Sequence, residues 1–388
     1  MLKHHYQRFI KANPALQHYA CHSHHYWPDV TRQAILEYWD DAAELIDNKW
    51  ERFFTDKVPR LQQYIAELLN TGQPEQLAFA NNTHELLFRV MSSLDFSKPI
   101  SIVTTDSEFH SFTRQVNRLD ELGNVTIHRV ATEPFDTFEE RFIEQVNKVN
   151  PDVVFFSQVF FNSGVAVNSV KDIVTQIDRQ DAIVMVDGYH AFCALPIDIS
   201  AVKQRIFYLA GGYKYAQGGE GVCFMHCPKN LLLRPLYTGW FAEFGELQKF
   251  KSRKVDYARN GFHYAGGTMD LSGVYRQLAV FDLWQQEQVT VAKIHQHVQK
   301  LQNTFLEKLD DLQSSYLNSS KLVCHDLRNH GHFLSFRLPG EDAARLHQHF
   351  KTHNIWTDYR GPVLRFGFAC YHEEQDIDIE CLKEFQGD

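Results

Sequence analysis

The chain has 388 residues, 44% of them hydrophobic and 22% charged, and a formal net charge of −9. These values fit a globular protein large enough for one main core and a second lobe. The acidic balance argues against a nucleic-acid partner, and no run approaches the 18 apolar residues of a membrane span.

Met1 to Tyr6 is not followed by an apolar leader core, so no signal peptide is expected. Seven irregularly spaced cysteines read as free thiols in a reducing cytosol, which predicts a cytoplasmic protein. Cys223, His226 and Cys227 resemble a metal set. On a strand, however, the two thiols would stand about 13 Å apart, too far for one ion, so no metal is expected.

The first predicted element is a helix over 29–55, with Asp29 as N-cap and Ile35, Trp39, Ala42 and Ile46 at helical spacing. A second helix over 58–71 carries Leu61, Ile65 and Leu68. Short apolar runs then alternate with helical segments. Strands are predicted at 77–80, 100–104, 126–130, 153–156, 183–186, 207–209 and 221–226, and helices at 84–94, 108–122, 136–149 and 168–179. This alternation predicts an α/β fold, a mainly parallel seven-stranded sheet sandwiched by helices. From about 270 the pattern changes to a long helix (271–313), strands near 321–326, 332–338 and 363–368, and a helix at 341–353. That reads as a smaller α+β C-terminal domain. The expected division is an N-terminal helical segment at 1–55 packing with the small domain, a large domain at 56–265, and the small domain at 266–388.

Lys214 lies among glycines in Gly211-Gly212-Tyr213-Lys214-Tyr215-Ala216-Gln217-Gly218-Gly219. Upstream, Asp187 ends the apolar run 183–186. A lysine in a glycine-rich turn after a buried acid suits pyridoxal phosphate, which needs an amine for a Schiff base and a carboxylate on its ring nitrogen. His190 follows Asp187 closely enough to lie over such a ring. Asn82 and Thr83 close one strand and open a helix, where free N–H groups can cradle a phosphate; an ordinary N-cap is the alternative. Phe109 could stack on the ring or belong to the core. Gly266-Gly267-Thr268 is a second phosphate candidate or a plain turn. Arg365, central in an apolar strand, needs an anionic partner: a substrate carboxylate or an internal acid.

Together these segments resemble the class V aminotransferase superfamily of fold type I pyridoxal-phosphate enzymes, and within it kynureninase. The matching blocks are Asp187-Gly188-Tyr189-His190, Tyr213-Lys214-Tyr215, Thr238-Gly239-Trp240, Gly267-Thr268, and Asp358 to Phe368 followed by Tyr371. The resemblance implies that Lys214 holds the cofactor and moves protons, with Asp187 on the ring nitrogen and His190 beside the ring. It implies that Thr83, Tyr213, Trp240 and Thr268 hold the phosphate, Thr268 reaching the neighbouring subunit's cofactor. Phe109 would stack on the ring and Arg365 would grip the substrate α-carboxylate. A homodimer acting on a small amino acid is implied as well. Three positions depart from the kynureninase pattern: Phe112 replaces an acid, Cys193 a glycine, and His22 to Pro28 an Asn-Ser-Leu-Gly turn. A cysteine desulfurase is disfavoured, because residues 354–362 contain no cysteine to carry a persulfide. Side-chain cleavage and transamination both remain open, since both use these residues. A non-catalytic α/β ligand-binding protein is the alternative of another class.

Overall fold

The computed structural model describes residues 1–244 and 254–386. Helix α1 (Gln7–Ala12), strand β1 (Gln17–His18) and helices α2 (Val30–Leu45), α3 (Lys49–Arg52) and α4 (Val58–Leu68) open the chain. The single helix expected over 29–55 is thus interrupted: Ile46 takes a positive φ of 53°, and a π-turn spans Phe53–Lys57. Asp29 makes no cap bond to α2 and instead accepts the main-chain N–H groups of Gln7 and Arg8.

The central sheet contains β2 (Leu77–Ala80), β3 (Ile100–Thr105), β4 (Val125–Val130), β5 (Val153–Ser157), β6 (Ile183–Asp187), β7 (Ile206–Gly211) and β8 (Cys223–His226). Their order is β2-β8-β7-β6-β5-β3-β4. Only β8 runs against the others, so the sheet is mainly parallel. Helices α5 (Thr83–Met91), α6 (His110–Asp120), α7 (Phe138–Val149) and α8 (Val170–Thr175) are the connections.

Strand alternation divides the apolar residues between two faces. Val153, Phe155, Ile183, Met185, Phe207 and Leu209 pack with α5 and α6. Val154, Phe156, Val184, Val186, Ile206 and Tyr208 face the other way, onto α4, α7, α8 and the helix α9 (Ser272–Gln286). Phe112 belongs to the first layer, stacked 3.7 Å from Phe155. It is a core residue.

Beyond α9 come α10 (Val291–Asp311), β9 (Phe333–Arg337), α11 (Asp342–Thr352), β10 (Ile355–Trp356), β11 (Asp358–Arg360) and β12 (Val363–Gly367). The long helix expected at 271–313 is two helices, because Gln288 turns the chain with φ 51°. The strand expected near 321–326 is reduced to a single bridge from Leu322 to Phe336. Strands β11, β12 and β9 form an antiparallel sheet, and Phe305, Phe336, Phe350, Phe366 and Phe368 fill the space between it and α10 and α11. Strand β1 pairs with β10, which ties the N-terminal segment to this region. No helix among the described residues is long and apolar enough to cross a membrane.

Candidate active site

In a parallel sheet the loops beyond the strand C-termini form the natural crevice for a ligand. Asp187 is the last residue of β6, and Lys214 follows β7 by three positions. Gly188 permits the turn between Asp187 and His190: a Cβ there would lie 1.9 Å from the Tyr208 hydroxyl. Gly212 and Gly218 bracket Lys214 for a similar reason, since a Cβ on either would press on the Gln277 side chain. The glycine-rich setting is therefore a packing requirement that fixes the lysine loop against α9.

A cavity of about 510 Å³ opens here. Asn82, Thr83, Phe109, Asp187, His190, Tyr213 and Lys214 all line it, so the structure unites seven of the residues expected from sequence. Asn82 is also the N-cap of α5, accepting the Glu85 N–H at 2.9 Å. The capping and lining readings of this residue hold together, and the first N–H groups of α5 sit at the cavity wall. Phe109 is 42% exposed and lines the cavity, outside the core.

Lys214 Nζ donates to the His22 carbonyl at 3.0 Å and to His190 Nε2 at 2.8 Å. Burial, with the charge of Arg365 adding to it, pushes its pKa down to about 7. A neutral amine with two N–H bonds made keeps its lone pair for chemistry. His190 is itself neutral, because burial and the nearby Lys214 hold its pKa well below the usual histidine range. Asp187 accepts the Tyr189 N–H at 2.8 Å. No ion pair to this carboxylate occurs among the described residues, and burial raises its pKa to about 6. A buried carboxylate with no cation costs stability until a cation arrives. The ring nitrogen of pyridoxal phosphate is such a cation, the α5 N-terminus suits its phosphate, and the Lys214 amine suits its aldehyde. The residues present fit this cofactor.

Three expected residues do not line the cavity. Thr268 lines a separate pocket of about 200 Å³ with Arg89 and Thr238; it adjoins the first through Asn81, which lines both. Trp240 is half-exposed outside both. Arg365 is 1% exposed and lies between the rings of Phe161 and Phe333. It donates to the Phe161 carbonyl at 2.8 Å and to Asp358. The internal acid considered from sequence is thus Asp358. Despite burial, which raises it, His22 and Arg365 hold this carboxylate below the usual range.

Sequence reasoning missed Ser23, His84, Ser157, Glu220 and Arg360 in the cavity wall. It also missed the His22 carbonyl that fixes Lys214. A main-chain acceptor carries no sequence signal. Arg360 carried no clearer one, because its strand, β11, is only three residues long.

A family model described as aminotransferase class-V matches residues 28–379. The chain belongs to the aminotransferase class-V family. A cysteine desulfurase of Yersinia pestis (strain Pestoides F) is 22% identical over 337 residues, covering 84% of this chain and 80% of the relative. The apo cysteine desulfurase of Thermococcus onnurineus NA1 superposes with a TM-score of 0.77 at 16% identity, over 98% of this chain and 95% of its own. The cystine C–S lyase C-DES, solved with its product cysteine persulfide, gives 0.77 at 18% identity, over 97% of each chain. These relatives support the superfamily and the fold type. They do not support the closer likeness to kynureninase, and they point toward cysteine desulfurases instead.

Proposed function

We propose that this class V family protein is a pyridoxal-phosphate enzyme that takes a proton from the α-carbon of an amino acid with Lys214. The observation that carries this is that one cavity holds both a buried amine, its pKa lowered to about 7, and a buried carboxylate with no ion pair among the described residues. When bound, the cofactor supplies an electron sink for the α-carbon. Asp187 would hold the ring nitrogen cationic and Phe109 would cover the ring, while His190 stands beside the lysine. Thr83 and the N-terminus of α5 take the phosphate, joined by Tyr213. Trp240 and Thr268 lie outside the cavity and would reach a phosphate across the interface of a homodimer. The substrate carboxylate goes to the cluster of Arg365, Asp358 and Arg360.

The finer reading is loss of a sulfur-bearing side-chain group, as the names of the relatives suggest, but without an enzyme persulfide. Cys223 is the only cysteine lining the cavity among the described residues. It is buried beside the Tyr189 hydroxyl, and burial pushes its pKa up to about 12. A thiol held protonated is a poor sulfur acceptor, so the sulfur would leave with the product. A second reading, kynureninase-like cleavage of a carbon–carbon bond, is favoured by the block from Asp358 to Arg365 followed by Tyr371. Transamination is the third.

Reconstitution with pyridoxal phosphate should give a visible absorbance band that Lys214→Ala removes. The reading fails if wild-type protein shows no such band. Products then separate the three chemistries. Sulfide or persulfide from cysteine or cystine marks the first, alanine from kynurenine the second, and turnover only with a keto acid the third.

A further inference from the structure

Helix α11 closes with His349 in its last turn and His353 as its C-cap. Residues four apart on a helix lie one above the other, and these two rings stand 4.6 Å apart, centroid to centroid. The C-terminal turn at Glu380–Glu384 brings Cys381 to them. One ligand atom from each of His349, His353 and Cys381 lies within 4.8 Å of the other two. Glu384, on the same turn, places a carboxylate oxygen 3.5 Å from His353 Nε2. None of these residues lines the cavity that holds Lys214. Local sequence gives no sign of the set, because Cys381 lies 28 residues beyond His353.

Both imidazoles are already oriented by the main chain. His353 Nδ1 donates to the His349 carbonyl at 2.9 Å, which leaves Nε2, the nitrogen near Glu384, with the lone pair. His349 Nε2 donates to the Cys381 carbonyl at 2.8 Å, which holds its ring against the turn that carries the thiol and leaves Nδ1 with the lone pair. Metal-binding histidines are fixed in this way, the second nitrogen donating to a carbonyl or carboxylate. Two imidazoles, a thiolate and a carboxylate are a donor set for zinc, a borderline cation that accepts nitrogen and sulfur together. At bond lengths of about 2.0 to 2.3 Å, the ligand atoms of a tetrahedral site stand about 3.5 Å apart. His353 and Glu384 are exposed, and His349 and Cys381 are half-buried, so small rotamer shifts can close the difference.

We propose that His349, His353 and Cys381, with Glu384 as fourth ligand, bind a zinc-type divalent cation that clamps the C-terminal turn to helix α11. On binding, the Cys381 thiol gives its proton to water and its sulfur joins the metal as a thiolate. The clamped helix packs on β11 and β12. His347, on the same helix, bonds Thr357 Oγ1 at 2.9 Å and packs on Tyr359 with ring centroids 5.0 Å apart. The cation is structural, and its site stands independently of the cofactor cavity.

The test uses the full chain, freed of metal with a chelator. Zinc is titrated against a chromophoric chelator, and cobalt(II) is added in a parallel experiment. Wild type should bind one zinc with a Kd below about 10 μM, and cobalt should give a sulfur-to-metal charge-transfer band. Cys381→Ser should remove that band. His353→Ala should weaken zinc binding by at least about 100-fold, since loss of an outer-shell partner alone costs about 10- to 100-fold. Glu384→Gln should weaken it about 10-fold. Zinc should also raise the thermal midpoint of wild type and leave that of His353→Ala unchanged. His353 and Glu384 are exposed, so these variants should fold, and a zinc-free midpoint equal to that of wild type verifies it. His5→Ala alters the group of His4, His5 and Glu287, which could also hold an ion, and should leave the titration as it is. The proposal is overturned if wild type binds zinc more weakly than about 10 μM, if binding survives both Cys381→Ser and His353→Ala, or if His5→Ala is the variant that abolishes it. A titration unchanged by Glu384→Gln overturns the assignment of the fourth ligand.

Discussion

Replacing Asp187 with asparagine tests whether the site holds a carboxylate in reserve for a cationic ring. The Asp187 carboxyl titrates near 6 in the folded chain against 3.8 for the ordinary group. The difference of about 2.2 units, at 1.36 kcal/mol each, amounts to about 3 kcal/mol. The pKa is raised, so the folded state binds this proton more tightly than the unfolded state does. Stability from this group is therefore full below pH 3.8, falls as the pH rises through about 6, and stays lost above that. Asparagine keeps the acceptor for the Tyr189 N–H and carries no charge. Cofactor-free D187N should then be more stable than wild type at pH 8 by up to about 3 kcal/mol. Glu108 contributes too, because its carboxyl is raised to about 7 by burial together with the Asp187 charge. Urea unfolding of both proteins across pH 4 to 8 measures the difference. Pyridoxal phosphate should reverse the order, because it stabilises the protein whose carboxylate can pair with it. Equal stability of the two cofactor-free proteins at pH 8 would refute the argument that Asp187 is buried without a partner.

Capture of pyridoxal phosphate by Lys214 requires the free amine, so its rate should rise with pH around a midpoint near 7, the value to which burial lowers this lysine; a midpoint near that of an ordinary lysine, seen in stopped-flow absorbance, contradicts the neutral-amine reading. Cys223→Ser should keep turnover within about threefold, and wild type should carry no persulfide on Cys223 by mass spectrometry, because this thiol stays protonated. A large loss would restore a thiol relay. Gly188→Ala would place a Cβ 1.9 Å from the Tyr208 hydroxyl and should cost about 3 kcal/mol in urea unfolding through overpacking.

Much of the fold was legible because the buried strands carry a simple signal. Leu77–Ala80, Val153–Ser157 and Ile183–Asp187 are short apolar runs between helical segments, and the structure pairs them in one sheet. Boundaries failed where single residues take unusual backbone angles, as at Ile46 and Gln288. Cys193 is a related case. It stands where the kynureninase pattern has glycine, and it adopts the left-handed φ of 64° that glycine favours. Lys214, Asp187, His190 and Thr83 were legible in the site because each ends or follows a strand at the same end of the sheet. Short strands such as β11 escaped notice, and with them went the cross-strand relation between Asp358 and Arg365.

The sequence by itself determined the strand–helix alternation, the acid and the lysine at the strand ends, and the absence of a cysteine from residues 354–362. These depend on residue type and local spacing. Only the tertiary structure decided which charges neutralise one another. It gave Arg365 to Asp358, turned Arg360 toward the cavity, and brought the His22 carbonyl onto Lys214 across 192 residues of chain. Those pairings arise from strand register and from the return of the N-terminal segment, and neither is written in local sequence.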